Sequence, residues 1–236
     1  MAQTIYGSDL AHVHDVGFGG WVRDAAPFVL ARLREAGIAD GLVVELGGGS
    51  GISAAALLDA GYEVLGVDAS ADMLAIARER APGARLVEGS LHEVELPPCA
   101  AITAIGECVN YGGPPSLESL FRRAWAALEP GGLLVFDAAA PGREPDGRRR
   151  ARYEGDGWEM RVEATEDRAA GTLTRRIALV RDGRSGEELH ELRLYECDAV
   201  VEWLEASGFD VVCHQSYGAG GRLPGMWIYV ATRVQR

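Results

Sequence analysis

The sequence predicts an α/β fold: a seven-stranded, mostly parallel sheet with a reversed last strand, plus a small antiparallel sheet inserted after the fifth strand. Three observations carry this. Short apolar runs rich in β-branched residues alternate with Ala/Leu-rich segments of helical period, the pattern of a parallel sheet covered on both faces. Beyond residue 140 that alternation gives way to strand-like segments punctuated by turn residues. The last two strand-like runs follow each other across a short link, which argues for antiparallel pairing.

Residues 1–37 read as an N-terminal cap and helix. Met1 to Gly20 mixes Asp9, His12, His14 and Asp15 with apolar residues, and a helix follows from Trp21 to Ala36, stopped by Gly37. The expected parallel strands are Leu42 to Leu46, Glu63 to Asp68, Arg85 to Glu88, Ala101 to Ile105 and Leu133 to Asp137. Helices fall between them at Gly51 to Ala60, Ser70 to Arg80 and Ser116 to Leu128, the last closed by Glu129-Pro130-Gly131-Gly132, since proline and glycine end helices. Residues 141–195 form the insertion, with strands at Trp158 to Ala164, Leu173 to Val180 and Leu189 to Leu194. Asp182-Gly183 and Ser185-Gly186 join the last two as a hairpin. This small sheet leaves the carboxyl edge of the parallel sheet, where open α/β folds bind ligands, and so reads as a lid. A helix at Asp198 to Ser207 and strands at Asp210 to Gln215 and Trp227 to Thr232 follow, the strands linked through Gly218 to Gly225.

At 236 residues, without a Ser/Gly/Pro-rich linker, the span 1–236 reads as a single domain. Its net charge of −12 sets up a field that repels phosphate backbones and anionic lipid, which argues against nucleic acid and membrane as partners. The basic run Arg148, Arg149, Arg150 and Arg152 follows the turn-rich stretch Pro141 to Gly147 and reads as a solvated loop. Cys99, Cys108, Cys197 and Cys213 form no CxxC pair and no metal-ligand spacing. No metal site is expected, and the thiols read as reduced ones in a cytoplasmic chain. No apolar stretch reads as an export signal or membrane span.

The strongest chemical signal is Val43-Val-Glu-Leu-Gly-Gly-Gly-Ser-Gly-Ile-Ser-Ala54, a hydrophobic strand that runs into glycines and then a helix. Gly47, Gly49 and Gly51 remove side chains where a ligand touches backbone and permit positive φ in a tight turn. Gly49-Ser-Gly51-Ile-Ser-Ala54 also matches a dinucleotide pattern, and Asp68 at the end of the second strand suits a ribose in either class. Glu45 separates the two readings. Its carboxylate would repel a pyrophosphate but attract the ammonium and sulfonium of S-adenosylmethionine.

With Glu45-Leu-Gly-Gly-Gly-Ser-Gly51 and Gly66-Val-Asp-Ala-Ser-Ala-Asp-Met-Leu74, the chain resembles the class I S-adenosylmethionine-dependent methyltransferases of the small-molecule type over roughly residues 40 to 140. The resemblance implies a Rossmann-like fold with a reversed seventh strand. It also implies that Glu45 and the loop of Gly47, Gly48, Gly49 and Gly51 hold the methionine end, that Asp68 binds ribose, and that Ala69 and Met73 lie against adenine. In Val87-Glu-Gly-Ser-Leu91 the family often has an Asp where this chain has Ser90, a weaker acceptor for the adenine amino group, while the Leu91 amide can donate to the ring. In Ala104-Ile-Gly-Glu-Cys-Val-Asn-Tyr111, the segment Ile105 to Glu107, with Gly106 between, faces the methionine portion, and Asn110 and Tyr111 lie towards the acceptor.

Methyl transfer from a sulfonium is an in-line displacement, so the protein aligns the acceptor, keeps water out and, for an alcohol or ammonium acceptor, lets a proton leave. No covalent intermediate is needed. The candidates for a base are His14, Tyr111 and His190, with His12 beside them, and Tyr6, Phe18 and Trp21 are positioned by sequence to cap the site. The expected function is methyl transfer from S-adenosylmethionine to a small-molecule acceptor, with S-adenosylhomocysteine as product. The alternatives are a module that binds S-adenosylmethionine without turnover, and an NAD-dependent oxidoreductase.

Overall fold

The structure is a computed structural model that describes residues 5–218 and 223–234. Two helices open the chain, α1 (Ser8–Phe18) and α2 (Gly20–Glu35). There follow β1 (Leu42–Leu46), α3 (Ile52–Asp59), β2 (Glu63–Asp68), α4 (Ala71–Arg80), β3 (Arg85–Glu88), β4 (Cys99–Ala104), a 3-10 turn (Cys108–Tyr111), α5 (Pro114–Ala127) and β5 (Leu128–Ala139). The insertion holds β6 (Arg148–Gly155), β7 (Trp158–Asp167), β8 (Thr172–Arg181) and β9 (Arg184–Arg193). The chain then returns through α6 (Cys197–Ala206), β10 (Phe209–His214) and β11 (Met226–Arg233).

The main sheet has the strand order β10-β11-β5-β4-β1-β2-β3, with β1 to β5 parallel and β11 antiparallel to both its neighbours. The near-continuous apolar strands follow from burial on both faces. In β1, Val44 and Leu46 join the core under α5 and α6, while Val43 joins the core under α2 and α3; β5 splits the same way between Leu134 and Phe136 on one side and Leu133 and Val135 on the other. The reversed β11 is the outcome expected from the short β10–β11 link, although Ala219 to Arg222 of that link lie outside the described residues.

Four local expectations are corrected. The first helix is expected at Trp21, after a capping segment, yet Ser8–Phe18 of that segment is already helical. Its cap residue Gly7 gives no side-chain hydrogen bond, so no start signal is visible in the sequence. Tertiary packing decides instead: Leu10 and Val13 bury against Met160, Val162, Ile177 and Leu179 of the inserted sheet. Gly17 permits the fit, since a Cβ there would stand 3.1 Å from the Trp158 ring.

The arginine run is a strand, β6, and not a loop. It forms the edge of the sheet β6-β7-β8-β9, where Arg150 lies opposite Glu163 and pairs with it at 3.0 Å, and Arg152 pairs with Glu159 at 2.8 Å. Charge on an edge strand also discourages pairing with other chains. The hairpin turn uses Asp182-Gly183 alone, both at positive φ as a tight two-residue turn requires, while Ser185 and Gly186 continue as paired strand. Glu129-Pro130-Gly131-Gly132 belongs to β5, so α5 passes into it without a loop. Gly132 fits there because a Cβ would lie 2.8 Å from the Ala100 carbonyl, at the shift in β4–β5 register. Among the described residues no helix is long and apolar enough to cross a membrane.

Candidate active site

Strand register brings the chemistry together. Glu45 in β1 lies opposite Gly66 of β2 and Thr103 of β4, so the carboxyl ends of three strands sit side by side. The turn after β1 places Gly47, Gly49 and Gly51 at φ of +66°, +55° and +78°. Each glycine has its own reason. A Cβ at Gly47 would stand 2.7 Å from the Cys108 Cβ, one at Gly51 would stand 3.0 Å from the Ala77 backbone, and one at Gly48 would crowd the Glu45 carboxylate at 3.1 Å. Only Gly49 combines positive φ with open space, so bare backbone faces outward there. The turn is pinned by Asp68, whose carboxylate accepts from the Gly49 and Ser70 amides, each at 2.8 Å. Burial raises the Asp68 carboxyl above its ordinary range, and the backbone donors oppose the rise.

Glu45 is buried, with Oε2 lacking a hydrogen-bond partner among the described residues. Burial raises its carboxyl to about 7, against the pull of hydrogen bonds from Ser53 and Ala54, and Asp68 adds to the rise. A buried polar atom without a partner is costly, so the structure keeps an acceptor waiting beside the bare turn.

At the end of β4, Gly106 is exposed at φ +98° and Glu107 adopts the left-handed conformation at φ +60°. Asp137 of β5 holds this bend. It accepts from the Gly106 amide at 2.9 Å, the Glu107 amide at 2.5 Å, the Trp21 indole at 3.2 Å and the Tyr217 hydroxyl at 2.8 Å. The Glu107 carboxylate points to two guanidinium groups, Arg143 after β5 and Arg175 of β8, at 2.5 Å each. Burial pushes that carboxyl up, but Arg175 and Arg143 together hold it down at about 2.

Tyr6, His14, Tyr111 and His190 come together although they are scattered along the chain. The Tyr6 ring meets His14 and His190 edge-on, each at 5.0 Å between centroids. The Tyr111 hydroxyl and His190 Nδ1 are 2.6 Å apart, and His190 Nε2 lies 3.1 Å from Glu188 Oε2. Glu188 also accepts from the Tyr6 and Gly7 amides at 2.7 and 2.9 Å, while the Ser70 hydroxyl donates to the Tyr6 carbonyl at 2.7 Å. Burial lowers the His14 imidazole to about 4, which keeps it neutral.

The remaining candidates are placed variously. Phe18 stacks on His14 and meets Tyr153 edge-on. Met73 is buried in α4, Ala69 is exposed just after Asp68, and Ser90 and Leu91 follow β3. Asn110 is wholly engaged with backbone: its amide donates to the Ala139 and Arg193 carbonyls and accepts from the Ala139 amide. His12 lies apart from the cluster, in an outer hollow of about 560 Å³ with Val16, Tyr153 and Trp158. Sequence reasoning missed Asp137, Arg143, Arg175 and Glu188. For Asp137 a signal existed, a lone acid closing the apolar run Leu133 to Phe136.

A family model described as a methyltransferase domain matches residues 43–132. The chain is 30% identical over 175 residues to a trans-aconitate 2-methyltransferase of Paracidovorax citrulli, which covers 70% of this chain and 67% of that protein. It is 29% identical over 141 residues to a dTDP-3-amino-3,6-dideoxy-α-D-glucopyranose N,N-dimethyltransferase of Streptomyces fradiae, covering 57% of this chain and 55% of the relative, about half its length. In fold it is similar to the CcbJ methyltransferase of Streptomyces caelestis, with a TM-score of 0.81, 24% identity and the whole of both chains covered.

Proposed function

The chain belongs to the class I S-adenosylmethionine-dependent methyltransferases, and on that premise we propose that it methylates a small polar molecule between the carboxyl edge of its main sheet and its inserted sheet. One observation carries the reading: Glu45 Oε2 is buried and unpartnered beside a turn stripped of side chains. That donor set suits a cation and not a diphosphate. S-Adenosylmethionine supplies, when bound, a methyl group on a sulfonium centre.

The chain's own residues then divide the work. Glu45 and the backbone from Gly47 to Gly51 take the ammonium and carboxylate end, and Gly106 leaves backbone bare beside it. Glu107 shapes that end through its bend, because its charge is already answered by Arg143 and Arg175. Asp68 keeps lone pairs for ribose hydroxyls, since a carboxylate has about four acceptor sites and two are used by amides. Ala69 and Met73 border adenine, with Ser90 and Leu91 at its polar edge. Residues 5–37 and 141–195 cover the acceptor and exclude water, Tyr6, Phe18 and Trp21 among them. Asn110 serves as a fastener that holds the turn carrying Tyr111.

The two curated relatives are named for acceptors of different chemistry, a tricarboxylate and an amino sugar nucleotide, and both fit the description of a small polar molecule. Titration calorimetry with S-adenosylhomocysteine, S-adenosylmethionine and NAD tests the donor site. Binding of the first two is expected, weakened about 10-fold or more in Glu45→Gln, as loss of a buried charge contact implies. Heat with NAD alone would remove the proposal.

A further inference from the structure

Resting on the methyltransferase reading, we propose that the acceptor atom carries a proton to lose, as an amine or hydroxyl does, and that the chain Tyr111–His190–Glu188 removes it. The geometry assigns a direction. Glu188 is an acceptor for three donors, the Tyr6 and Gly7 amides and His190 Nε2. His190 therefore carries its hydrogen on Nε2, leaving Nδ1 bare to accept from the Tyr111 hydroxyl 2.6 Å away. The Tyr111 oxygen also faces the Tyr6 hydroxyl, and a phenol oxygen with two lone pairs keeps one for a donor from the acceptor molecule. It stands four residues past the Glu107 bend, on the 3-10 turn whose Cys108 packs against Gly47 of the cofactor loop.

The step balances. The acceptor's N–H or O–H bond breaks towards the Tyr111 oxygen, and the Tyr111 proton moves to His190 Nδ1. The new bond to the methyl carbon forms as the carbon–sulfur bond breaks, with both its electrons going to sulfur. The sulfonium charge is replaced by an imidazolium charge, answered by the Glu188 carboxylate 3.1 Å from Nε2, and His190 returns its proton through the Tyr111 hydroxyl to water once the product has left. An ammonium acceptor sheds one proton this way and leaves as a methylammonium, and an alcohol sheds one and leaves as an ether. A carboxylate acceptor sheds none, so such a chain would have no task there. Arg143 and Arg175 share Glu107, and Arg175 Nε is buried without a hydrogen-bond partner among the described residues, so trans-aconitate as a probe tests whether that guanidinium takes an anion instead. Burial holds the Tyr111 hydroxyl well above its ordinary range, so the phenol relays a proton and does not store a charge.

The groups facing His190 are Tyr6 and His14 from the N-terminal segment and α1, Tyr111 from the 3-10 turn, Arg175 directly opposite on β8, and Glu188 on its own strand. Tyr111 is the catalytic residue, His190 takes its proton, and Glu188 is a positioning residue.

The test uses the full chain, free and with S-adenosylhomocysteine added, with 15N NMR of the histidine rings assigned through His190→Gln. An Nε2-protonated His190 with a bare, hydrogen-bonded Nδ1, whose resonance moves in Tyr111→Phe, is expected; an Nδ1-protonated ring overturns the proposal. Labelled S-adenosylmethionine is then offered with three probes: the amino sugar nucleotide, its 3-hydroxy analogue, and trans-aconitate. Label on the amine or hydroxyl probe is expected, with kcat about 100-fold lower in Tyr111→Phe and His190→Gln, unchanged KM for the donor, and loss of the acid limb of the pH profile. Label on trans-aconitate, or full turnover in both variants at wild-type thermal midpoint, overturns it. If none of the probes takes label, the ring tautomer decides. Absence of S-adenosylhomocysteine binding would instead overturn the methyltransferase reading and leave the tautomer result standing.

Discussion

Glu45 is held between two opposing demands: burial favours its neutral acid, while a cationic ligand favours its carboxylate. With the carboxyl at about 7 in the free protein, against an ordinary 4.5, the folded chain holds a proton at pH 6 that a bound cation displaces. Affinity for S-adenosylmethionine is therefore expected to fall as pH drops below about 7, with a proton released on binding at pH 6 and little release at pH 8. The sign for stability is opposite. Because the folded state binds this proton more tightly, its contribution declines between pH 4.5 and 7, and Glu45→Gln flattens both trends. Calorimetry in buffers of different ionisation enthalpy measures the proton directly. Glu45 and Asp68 were open to reading from the sequence because each stands at or next to the end of an apolar strand, Glu45 two residues before Gly47 and Asp68 two residues after Gly66. Arg175 and Glu188 were not, since their partners stand 68 and 182 positions away and nothing local marks an arginine or glutamate as facing inward.

The glycine turn and the 3-10 turn behave as one unit because Gly47 and Cys108 occupy what would otherwise be the same space. Gly47→Ala is expected to cost about 1–3 kcal/mol, from overpacking against Cys108 together with the φ of +66°. Gly49→Ala meets no such wall and should cost only the conformational part, about 1 kcal/mol. Urea unfolding of each, and of Gly47→Ala combined with Cys108→Gly, separates the steric part: recovery in the double variant is expected, and equal costs for the two single variants would refute the assignment. The first three strands were read to the residue because apolar runs of this length, ended by glycine or acid, have few other outcomes. Helix α1 and strand β6 escaped because the inserted sheet, not local propensity, decides them.

The molecule is assembled from a doubly covered sheet, an inserted sheet and an N-terminal helix pair, and buried charges stitch them together. Glu107 ties the end of β4 to the insertion through Arg143 and Arg175. Glu107→Gln leaves two guanidinium groups without their counter-charge, and a loss of about 3–5 kcal/mol is expected in urea unfolding. Since this carboxyl sits at about 2 instead of 4.5, its contribution is complete above pH 4.5 and disappears as pH falls through 2; acid unfolding of the variant should be shallower over that window. The mostly parallel sheet and its reversed last strand could be read from the alternation of elements and one short link, since these constrain chain direction. Which body each charge would reach could not, because that depends on how the three come together.

One residue of the N-terminal segment has a wider consequence. The amide hydrogen of Tyr6 is held by Glu188 of the inserted sheet, and its carbonyl is held by Ser70, two positions past Asp68. The inserted sheet and the turn after β2 thus grip opposite poles of a single residue. Communication between them requires no hinge or distant relay: a shift of either by the reach of a hydrogen bond is felt at once by the other.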